Sequence, residues 1–193
     1  MYSQDNEDIL LNTLLISLGR RTNVTYIDIG AGDPVIINNT FYFYQKGEGC
    51  GVLIDPLPWN HQKIREKRPR DVLLEGVVCD GKEKEVFIRV RGRHGGGSRI
   101  VSEKPPENKR QALAKTYRIN DVLAYFRRTP DFISIDAEGF DLRILKDLDF
   151  KTYQIPLFCI ETEHDKNIVP FMYYWNYEVM ATTRSNTIFK LKP

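Results

Sequence analysis

Short apolar runs alternate along this chain with longer amphipathic stretches, and most of the runs end at an acidic residue. Such runs, rich in Val, Ile and Phe, favour buried strands. They predict strands at residues 24–29, 51–55, 72–78, 131–136 and 156–161. The stretches between them predict helices at 5–18, 37–46, 58–67, from Asn120 to Phe126 and from Gly139 onward. Strands that alternate with helices are typical of a mainly parallel sheet covered by helices on both faces.

Two further strands are predicted near the C-terminus, from Tyr177 to Thr182 and from Thr187 to Leu191. The short polar segment between them suits an antiparallel hairpin. Residues 85–90 alternate between polar and apolar and predict an added strand, whereas residues 91–110 are rich in Gly, Arg, Lys and Pro and predict a long loop. We therefore expect an α/β fold with a mainly parallel seven-stranded sheet and one antiparallel strand at or near an edge.

Length and composition change this picture little. A chain of 193 residues, 41% hydrophobic and 28% charged, is typical of one soluble domain, which we expect to span residues 1–193. The net charge of +2 does not by itself indicate a partner such as nucleic acid. On the helix predicted at 58–67 and just after it, we expect Lys63, Arg65, Lys67 and Arg68 to face solvent, as we do His61.

Cysteine usage and the absence of long apolar runs bear on location. Cys50, Cys79 and Cys159 form no CxxC pair and are odd in number, which favours a reducing compartment. No apolar run reaches the roughly 20 residues of a membrane span, and the first residues lack the pattern of a signal peptide. A cytoplasmic location is therefore expected.

A glycine turn, Gly30-Ala31-Gly32, follows the first strand. Glycine permits a positive φ and lets the backbone approach a ligand closely. A turn at this place in an α/β sheet is where nucleotide-like ligands bind, although an ordinary strand-to-helix turn is the alternative. The dinucleotide pattern GxGxxG fails because its last position is Val35, which disfavours a nicotinamide or flavin cofactor. Asp28, inside the strand, can accept a hydrogen bond from the amino group of a bound amino-acid moiety.

Two acids end the next strands. A carboxylate at Asp55, which ends the second strand, can bind both hydroxyls of a ribose, and a solvated acid ahead of a proline is the alternative. Asp80 follows the third strand, where it can reach an adenine amine with Cys79 beside the ring, or can serve as a turn or helix cap. Asn39 lies where a helix opens after the glycine turn, so a capping role competes with ligand binding there.

Acids also follow the fourth and fifth strands. Asp136 and Glu138 project from the carboxyl edge of the predicted sheet, and an acid at the end of a buried strand is costly without a partner. Capping of the following helix is the alternative. Glu161, Glu163 and His164 end the fifth strand on the same edge. Surface acids in a loop are the alternative, which is the preferred interpretation for Glu163. Converging carboxylates can tune a general base or hold a divalent cation, with Asp136, Glu138 and Glu161 as the candidate metal ligands. Their spacing fits no dedicated oxygen cage, so a metal is not the favoured expectation.

The most basic stretch of the chain is residues 89–99, which interleave arginine and histidine with glycine. Its members Arg91, Arg93, His94 and Arg99 are candidates for an anion clamp over the cleft, because arginine matches the geometry of phosphate and carboxylate. A solvated flexible loop is the alternative. We expect the acceptor-binding residues, if the clamp exists, to come from this stretch.

These motifs together resemble the FkbM-type methyltransferase family. The pieces that carry the resemblance run through nearly the whole chain in the family's order: Tyr2-Ser3-Gln4 with Glu7-Asp8, residues 27–34, Asn39-Thr40, residues 51–56, residues 134–141, Ile160-Glu161 and residues 186–189. The element Ser134-Ile135-Asp136-Ala137-Glu138-Gly139 is the most specific of them, while the glycine turn is shared by all class I methyltransferases. The segment 89–99 is not part of the resemblance.

The resemblance implies a Rossmann-like class I methyltransferase that uses S-adenosyl-L-methionine as cofactor. It implies O-methylation of a sugar, glycan or secondary-metabolite hydroxyl. The basic segment 89–99, which lies outside the resemblance, adds the expectation that the acceptor carries an anionic group. Asp136 is the first candidate for the base that takes the hydroxyl proton, followed by Glu138 and His164. One alternative is an RNA methyltransferase, which the basic segments favour. Another is a non-catalytic module that binds S-adenosylmethionine or a nucleotide. A modified nucleoside in treated RNA would favour the first, and cofactor binding without turnover would favour the second.

Overall fold

The computed structural model of the chain describes residues 2–47, 49–91, 98–101, 106, 110–126 and 128–193. The strands are β1 (Thr25–Ile29), β2 (Cys50–Asp55), β3 (Val72–Val78), β4 (Glu85–Arg89), β5 (Arg99–Val101), β6 (Gln111–Tyr117), β7 (Phe132–Ile135), β8 (Leu157–Glu161), β9 (Tyr177–Thr182) and β10 (Asn186–Leu191). The helices are α1 (Glu7–Ser17), α2 (Phe41–Gln45), α3 (Pro58–Lys67), α4 (Ile119–Leu123), α5 (Asp141–Asp147) and α6 (Ile168–Tyr174).

The described residues form one ten-stranded sheet in the order β5-β4-β6-β3-β2-β1-β7-β8-β10-β9. Strands β6, β3, β2, β1, β7 and β8 pair in parallel, and β10 runs antiparallel to both β8 and β9. In sheet order, the seven strands β3-β2-β1-β7-β8-β10-β9 form the mainly parallel sheet with one reversed strand that the sequence predicted. The α/β fold class is therefore confirmed.

Three more strands extend the sheet beyond β3, which the predicted count of seven did not include. β6 pairs in parallel with the second half of β3, and β4 lies antiparallel between β6 and β5. Part of this addition falls in residues 91–110, for which the sequence predicted only a loop. Residues 99–101 of that range are strand β5, paired with β4. One continuous sheet agrees with a single domain over residues 1–193, which stays a prediction.

Helices cover both faces of the sheet because side chains alternate along each buried strand. In β1, Ile27 and Ile29 belong to one core cluster, which contains Val122 of α4, Ile144 of α5 and other residues of that face. Tyr26 points to the opposite face and packs in a second cluster, whose members from the helices are Leu11, Leu15, Phe43, Tyr44 and Ile64. These come from α1, α2 and α3, so each face has its own apolar layer.

The chain reverses its direction of travel across the sheet at β1. It first moves outward from β1 through β2 to β3, and later returns to the other side of β1 to form β7 and β8. In open α/β sheets, ligands bind in the crevice beyond the carboxyl ends of the strands at such a switch point. A ligand-binding site is therefore expected at the carboxyl ends of β1 and β7. No helix in the described part of the chain is long and apolar enough to cross a membrane.

Candidate active site

A cavity of about 550 Å³ opens at the carboxyl ends of the central strands. Its volume lies within the ~300–1,000 Å³ typical of small-molecule sites. The wall brings together four parts of the chain that lie far apart in sequence: residues 29–33 after β1, residues 54–57 after β2, residues 76–78 at the end of β3, and residues 136–138 after β7. The edge at which the sequence predicted that these segments meet is thus the edge that carries the cavity.

The glycine turn after β1 is fixed by contacts to its neighbours. Gly30 and Gly32 have φ angles of +80° and +58°, the left-handed region that favours glycine. The backbone N–H groups of Gly30 and Ala31 donate to the carbonyl of Ile54, at 2.9 and 3.1 Å. A Cβ on Gly30 would lie 1.9 Å from the carbonyl oxygen of Asp136, so no side chain fits between β1 and β7. The turn is consequently both a wall of the cavity and the contact between two strands.

Asp55, at the end of β2, is 3% exposed and lines the cavity. Its Oδ2 accepts from the backbone N–H of Gly32 at 2.9 Å, while its Oδ1 accepts from the N–H of Leu57 and the amide of Asn60. Burial raises the pKa of Asp55, and these hydrogen bonds oppose the rise. A carboxylate oxygen can accept two hydrogen bonds, so Oδ2 keeps acceptor capacity at the cavity wall.

His61 and Arg68 are buried, which corrects the expectation that they face solvent. His61 is 7% exposed, and its Nε2 lies 2.8 Å from the carbonyl oxygen of Asp55. Arg68 is completely buried and paired with Asp71 at 2.7 Å. Its guanidinium also donates to the hydroxyl of Tyr26 and to the carbonyl of Pro34, beyond the glycine turn. The periodicity of α3 gave no sign of this, because the partners come from other elements.

Asp28 belongs to the same buried network and does not line the cavity. Its Oδ2 accepts from the hydroxyl of Thr40 at 2.7 Å and from the amide of Asn38 at 3.2 Å. Arg68 in turn donates to both of these residues. Burial raises the pKa of Asp28, opposed by the Thr40 hydrogen bond and the charge of Arg68. Through Thr40 and Asn38, the carboxylate thus stabilises the segment that follows the glycine turn. Its contact to a cofactor amino group stays a prediction.

Asp136 and Glu138 form the acidic part of the wall. Asp136 follows β7 and keeps an exposed side-chain surface toward the cavity. Although Asp136 is exposed to the cavity, the protein that surrounds the cavity shields it from much of the bulk water, and this, together with the negative charges of Glu161, Glu138 and Asp141, raises its pKa well above the ordinary value. Glu138 has a φ of +51°, a left-handed conformation that is uncommon for residues with a side chain. Asp141 caps this segment by accepting from the N–H groups of Ala137 and Gly139.

His164 and Glu161 join Glu138 beside the cavity. Nε2 of His164 lies 3.9 Å from a carboxylate oxygen of each of the two glutamates. Burial, with the charges of Asp141, Glu138 and Glu163, raises the pKa of Glu161 to about 7. One ligand atom from each of Glu138, Glu161 and His164 lies within 4.8 Å of the other two. The sequence expectation placed Asp136 in a metal set with the two glutamates, whereas this cluster contains His164 instead.

Three other predicted site residues do not line the cavity. The amide of Asn39 donates to the hydroxyl of Ser134 and to Sγ of Cys159. Cys79 is buried, and its N–H donates to the carbonyl of Tyr117. The carboxylate of Asp80 is paired with Arg143 at 2.7 Å, and hydrogen bonding to Arg143 lowers its pKa. Their roles at the cofactor stay predictions.

The predicted basic clamp is described only in part. Arg91 and Arg99 are exposed and do not line the cavity, but Ser98 and Ile100 beside Arg99 do. Arg93 and His94 lie outside the described residues.

Sequence reasoning missed much of the apolar wall. The missed lining residues are Ile36, Ile37, Leu57, Trp59, Val77, Val78, Ile88 and Ile100. Ile36 and Ile37 were the available signal, because two isoleucines in a polar loop are unusual, and they are 66% and 65% exposed. Ile88 and Ile100 come from β4 and β5, which are two of the three strands added to the sheet beyond β3.

The strand order, the glycine turn and the acids at the strand ends define a class I methyltransferase fold. Solved structures agree with this at the level of the fold. A Pyrococcus horikoshii protein assigned as an RNA methyltransferase has a TM-score of 0.50 and 12% identity, with 97% of this chain and 85% of that chain covered. The methyltransferase domain of METTL16 (delta-N) also has a TM-score of 0.50, at 10% identity over 95% of this chain and 79% of that chain.

The model of the methyltransferase FkbM domain matches residues 28–179. This chain therefore belongs to the FkbM methyltransferase family, as the sequence motifs predicted. The matched range contains the glycine turn, Asp55 and the acidic segment after β7. A comparison with curated proteins found no match. S-adenosylmethionine is the methyl donor that the family implies.

Proposed function

We propose that this chain is an S-adenosylmethionine-dependent O-methyltransferase that acts on a hydroxyl group of a sugar, glycan or related small metabolite. One observation carries the proposal: a single cavity is walled by a glycine turn with a buried acid, Asp55, and by a second pair of acids, Asp136 and Glu138. The first part suits the binding of a nucleoside, and the second suits the removal of a proton from an acceptor.

The residues present fit the cofactor. Oδ2 of Asp55 has acceptor capacity for ribose hydroxyls, and Gly32, where an added Cβ would meet no atom closer than 3.9 Å, leaves room for a ligand to approach. Leu57 and Val78 add apolar surface suited to a purine ring. When bound, S-adenosylmethionine supplies a methyl group on a positively charged sulfur, so the reactive carbon needs no activation by the protein.

The chain's own residues then have to position the acceptor, exclude water and take the hydroxyl proton. A hydroxyl is a poor nucleophile until its proton leaves, and a base in the cavity wall accelerates that step. Asp136 is the proposed base because its side chain faces the cavity beside the glycine turn. Glu138 is the second candidate, and His164 the third.

The proposed acceptor carries an anionic group that Arg91 and Arg99 bind, with Arg93 and His94 as further candidates from the sequence. Support comes from the neighbouring residues Ser98 and Ile100, which line the cavity next to this basic stretch. The test compares a phosphorylated acceptor with its dephosphorylated counterpart in Arg91→Ala and Arg99→Ala variants. Recognition of charge predicts a higher KM for the phosphorylated acceptor alone, and equal changes for both acceptors would refute it.

Methyl transfer to a panel of nucleotide sugars, glycans and RNA tests the reaction. We expect transfer to a hydroxyl acceptor, its loss in Asp136→Asn, and no loss in Asp149→Asn, an exposed acid outside the cavity. Methylation of RNA alone would favour the alternative acceptor class, and cofactor binding without turnover would favour a binding module. The likeness to RNA methyltransferases is one of fold and does not choose between these acceptors.

Asp55→Asn tests the cofactor half of the site. Hydrogen bonds to a charged acceptor contribute about 1.5–3 kcal/mol, so we expect S-adenosylhomocysteine affinity to fall by about ten- to hundredfold. Calorimetry measures this, and unchanged affinity would remove Asp55 from the cofactor site.

A cytoplasmic location is proposed as well, supported by the free thiols of all three cysteines.

A further inference from the structure

Three side chains from different parts of the chain converge next to the cavity. Glu138 follows β7, Glu161 is the last residue of β8, and His164 lies in the loop after β8. Their ligand atoms lie within 4.8 Å of one another, and Nε2 of His164 is 3.9 Å from each carboxylate. Metal–ligand bonds of about 2.0–2.2 Å place the atoms around one ion roughly 3–4 Å apart, so a small contraction would complete a site.

The contacts within the cluster leave one of its oxygens unsatisfied. Oε2 of Glu161 is buried and has no hydrogen-bond partner among the described residues. At 3.9 Å from His164 it is too far for a hydrogen bond. A buried carboxylate oxygen without a partner is costly, and a bound cation is one way to compensate it. Asp141 and Glu163 add negative charge around the cluster.

We propose that Glu138, Glu161 and His164 hold one divalent cation. Two carboxylates with one imidazole suit ions that accept both oxygen and nitrogen ligands, such as Mn²⁺, Fe²⁺ and Zn²⁺, better than Ca²⁺ or Mg²⁺. Three protein ligands leave coordination positions open. Glu138 itself lines the cavity, so an open position can face it.

The site deepens the proposed function and rests on it for its purpose. An acceptor hydroxyl that binds an open position of the ion would lose its proton more readily, with Asp136 nearby to receive it. Asp136 is then the base and not a metal ligand, which differs from the ligand set expected from the sequence. Glu138 serves the ion, which leaves it no separate role as a base.

Manganese titration of the chelator-treated full chain tests the site directly, with bound Mn²⁺ measured by electron paramagnetic resonance. We expect one equivalent of Mn²⁺ to bind. Loss of residues that only support metal ligands lowers affinity by about 10–100-fold, so losing a ligand in Glu161→Gln or His164→Ala should lower it at least about tenfold. Glu163→Gln is the matched control, since it removes the same charge two residues further along the chain, where Glu163 accepts from the hydroxyl of Ser185.

The control separates coordination from a general attraction of cations to negative charge. Wild-type affinity in Glu163→Gln with weakened binding in both ligand variants supports the site. No bound Mn²⁺ in the wild type, or equal affinities in all variants, would overturn it. Circular dichroism establishes that each variant is folded, and the near-isosteric Glu161→Gln remains informative if His164→Ala unfolds. The titration contains neither methyl donor nor acceptor, so its outcome is separate from that of the proposed methyl transfer.

Discussion

Gly30 shows how much one residue can depend on a distant part of the chain. Its positive φ could be anticipated from the sequence, since a glycine turn after a strand commonly needs that conformation. The second constraint could not, because it comes from the carbonyl oxygen of Asp136 on β7. That contact exists only once β1 and β7 lie side by side.

Comparing Gly30→Ala with Gly19→Ala separates these two constraints. Both glycines have a positive φ, of +80° and +75°, but a Cβ on Gly19 would meet nothing within 4 Å. We expect Gly19→Ala to cost only the conformational penalty, about 1–2 kcal/mol. Gly30→Ala should cost clearly more and should also abolish cofactor binding. Urea denaturation and calorimetry measure the two effects, and similar unfolding free energies would contradict the clash.

Arg68 is the residue for which sequence and structure differ most. A basic residue at the end of a helix is usually solvated, and nothing in its neighbours indicates otherwise. Its burial is possible because Asp71, Tyr26, Thr40 and Asn38 satisfy its donors. These partners come from separate elements, so only the assembled fold reveals them.

We expect Arg68→Met to destabilise the protein by about 3–5 kcal/mol, because removing one partner leaves the buried charge of Asp71 uncompensated. Arg65→Met is the matched control. Arg65 is exposed and its pair with Glu75 lies at the surface, where such pairs contribute about 0–1 kcal/mol. Chemical denaturation of both variants is the measurement. Equal losses of stability would show that the Arg68 network contributes no more than a surface pair.

At the scale of elements, the buried strands were predictable and the marginal ones were not. β1, β2 and β7 are short, mostly apolar runs, and the structure confirms them within a residue or two at each end. β6 was missed because Gln111–Tyr117 is largely half-exposed and contains two alanines and a lysine. Its strand conformation depends on pairing with β3 and β4. The short helix α6 was missed as well, since Pro170 within it argues against a helix.

The N-terminal helix α1 is tied to the β9–β10 turn through Glu7. Its carboxylate accepts from the Thr183 hydroxyl at 2.7 Å and from the Asn186 amide at 3.1 Å. Burial acts to raise the pKa of Glu7, but hydrogen bonds, first that of Thr183, hold it below the ordinary value. A depressed folded-state pKa stabilises the fold above the unfolded pKa, and that stabilisation is lost as the pH falls through the folded value.

We therefore expect Glu7→Gln to cost about 1–3 kcal/mol at pH 7. The difference from wild type should shrink as the pH falls below the ordinary value of 4.5, because wild-type Glu7 then becomes neutral too. Glu66→Gln, at an exposed position of α3, should show neither effect. Urea denaturation at a series of pH values provides the comparison. A cost independent of pH would mean that packing, not the charge, accounts for it.

At the scale of the whole molecule, the cavity exists because the strand order reverses at β1. The sequence predicted the edge on which the acids converge, since the carboxyl ends of parallel strands share one edge. It could not predict the far wall, because Ile88 and Ile100 reach the cavity through strands that pair only in the assembled sheet. The result is a ligand site whose walls depend on β1, β2, β3, β4, β5 and β7 together.

A ligand bound in this cavity should therefore stabilise the fold as a whole. Binding to the folded state alone contributes about 2.7 kcal/mol at a ligand concentration one hundred times Kd. For a chain of this length each kcal/mol raises Tm by about 2–4 °C, so S-adenosylhomocysteine should raise it by about 5–10 °C. NADH at the same concentration is the control, because Val35 replaces the last glycine of the dinucleotide pattern. We expect no shift with NADH and a reduced shift for Asp55→Asn. An equal shift with NADH would mean that the glycine turn binds nucleotides without preference for the methyl donor. That result would refute the proposal that S-adenosylmethionine is the cofactor.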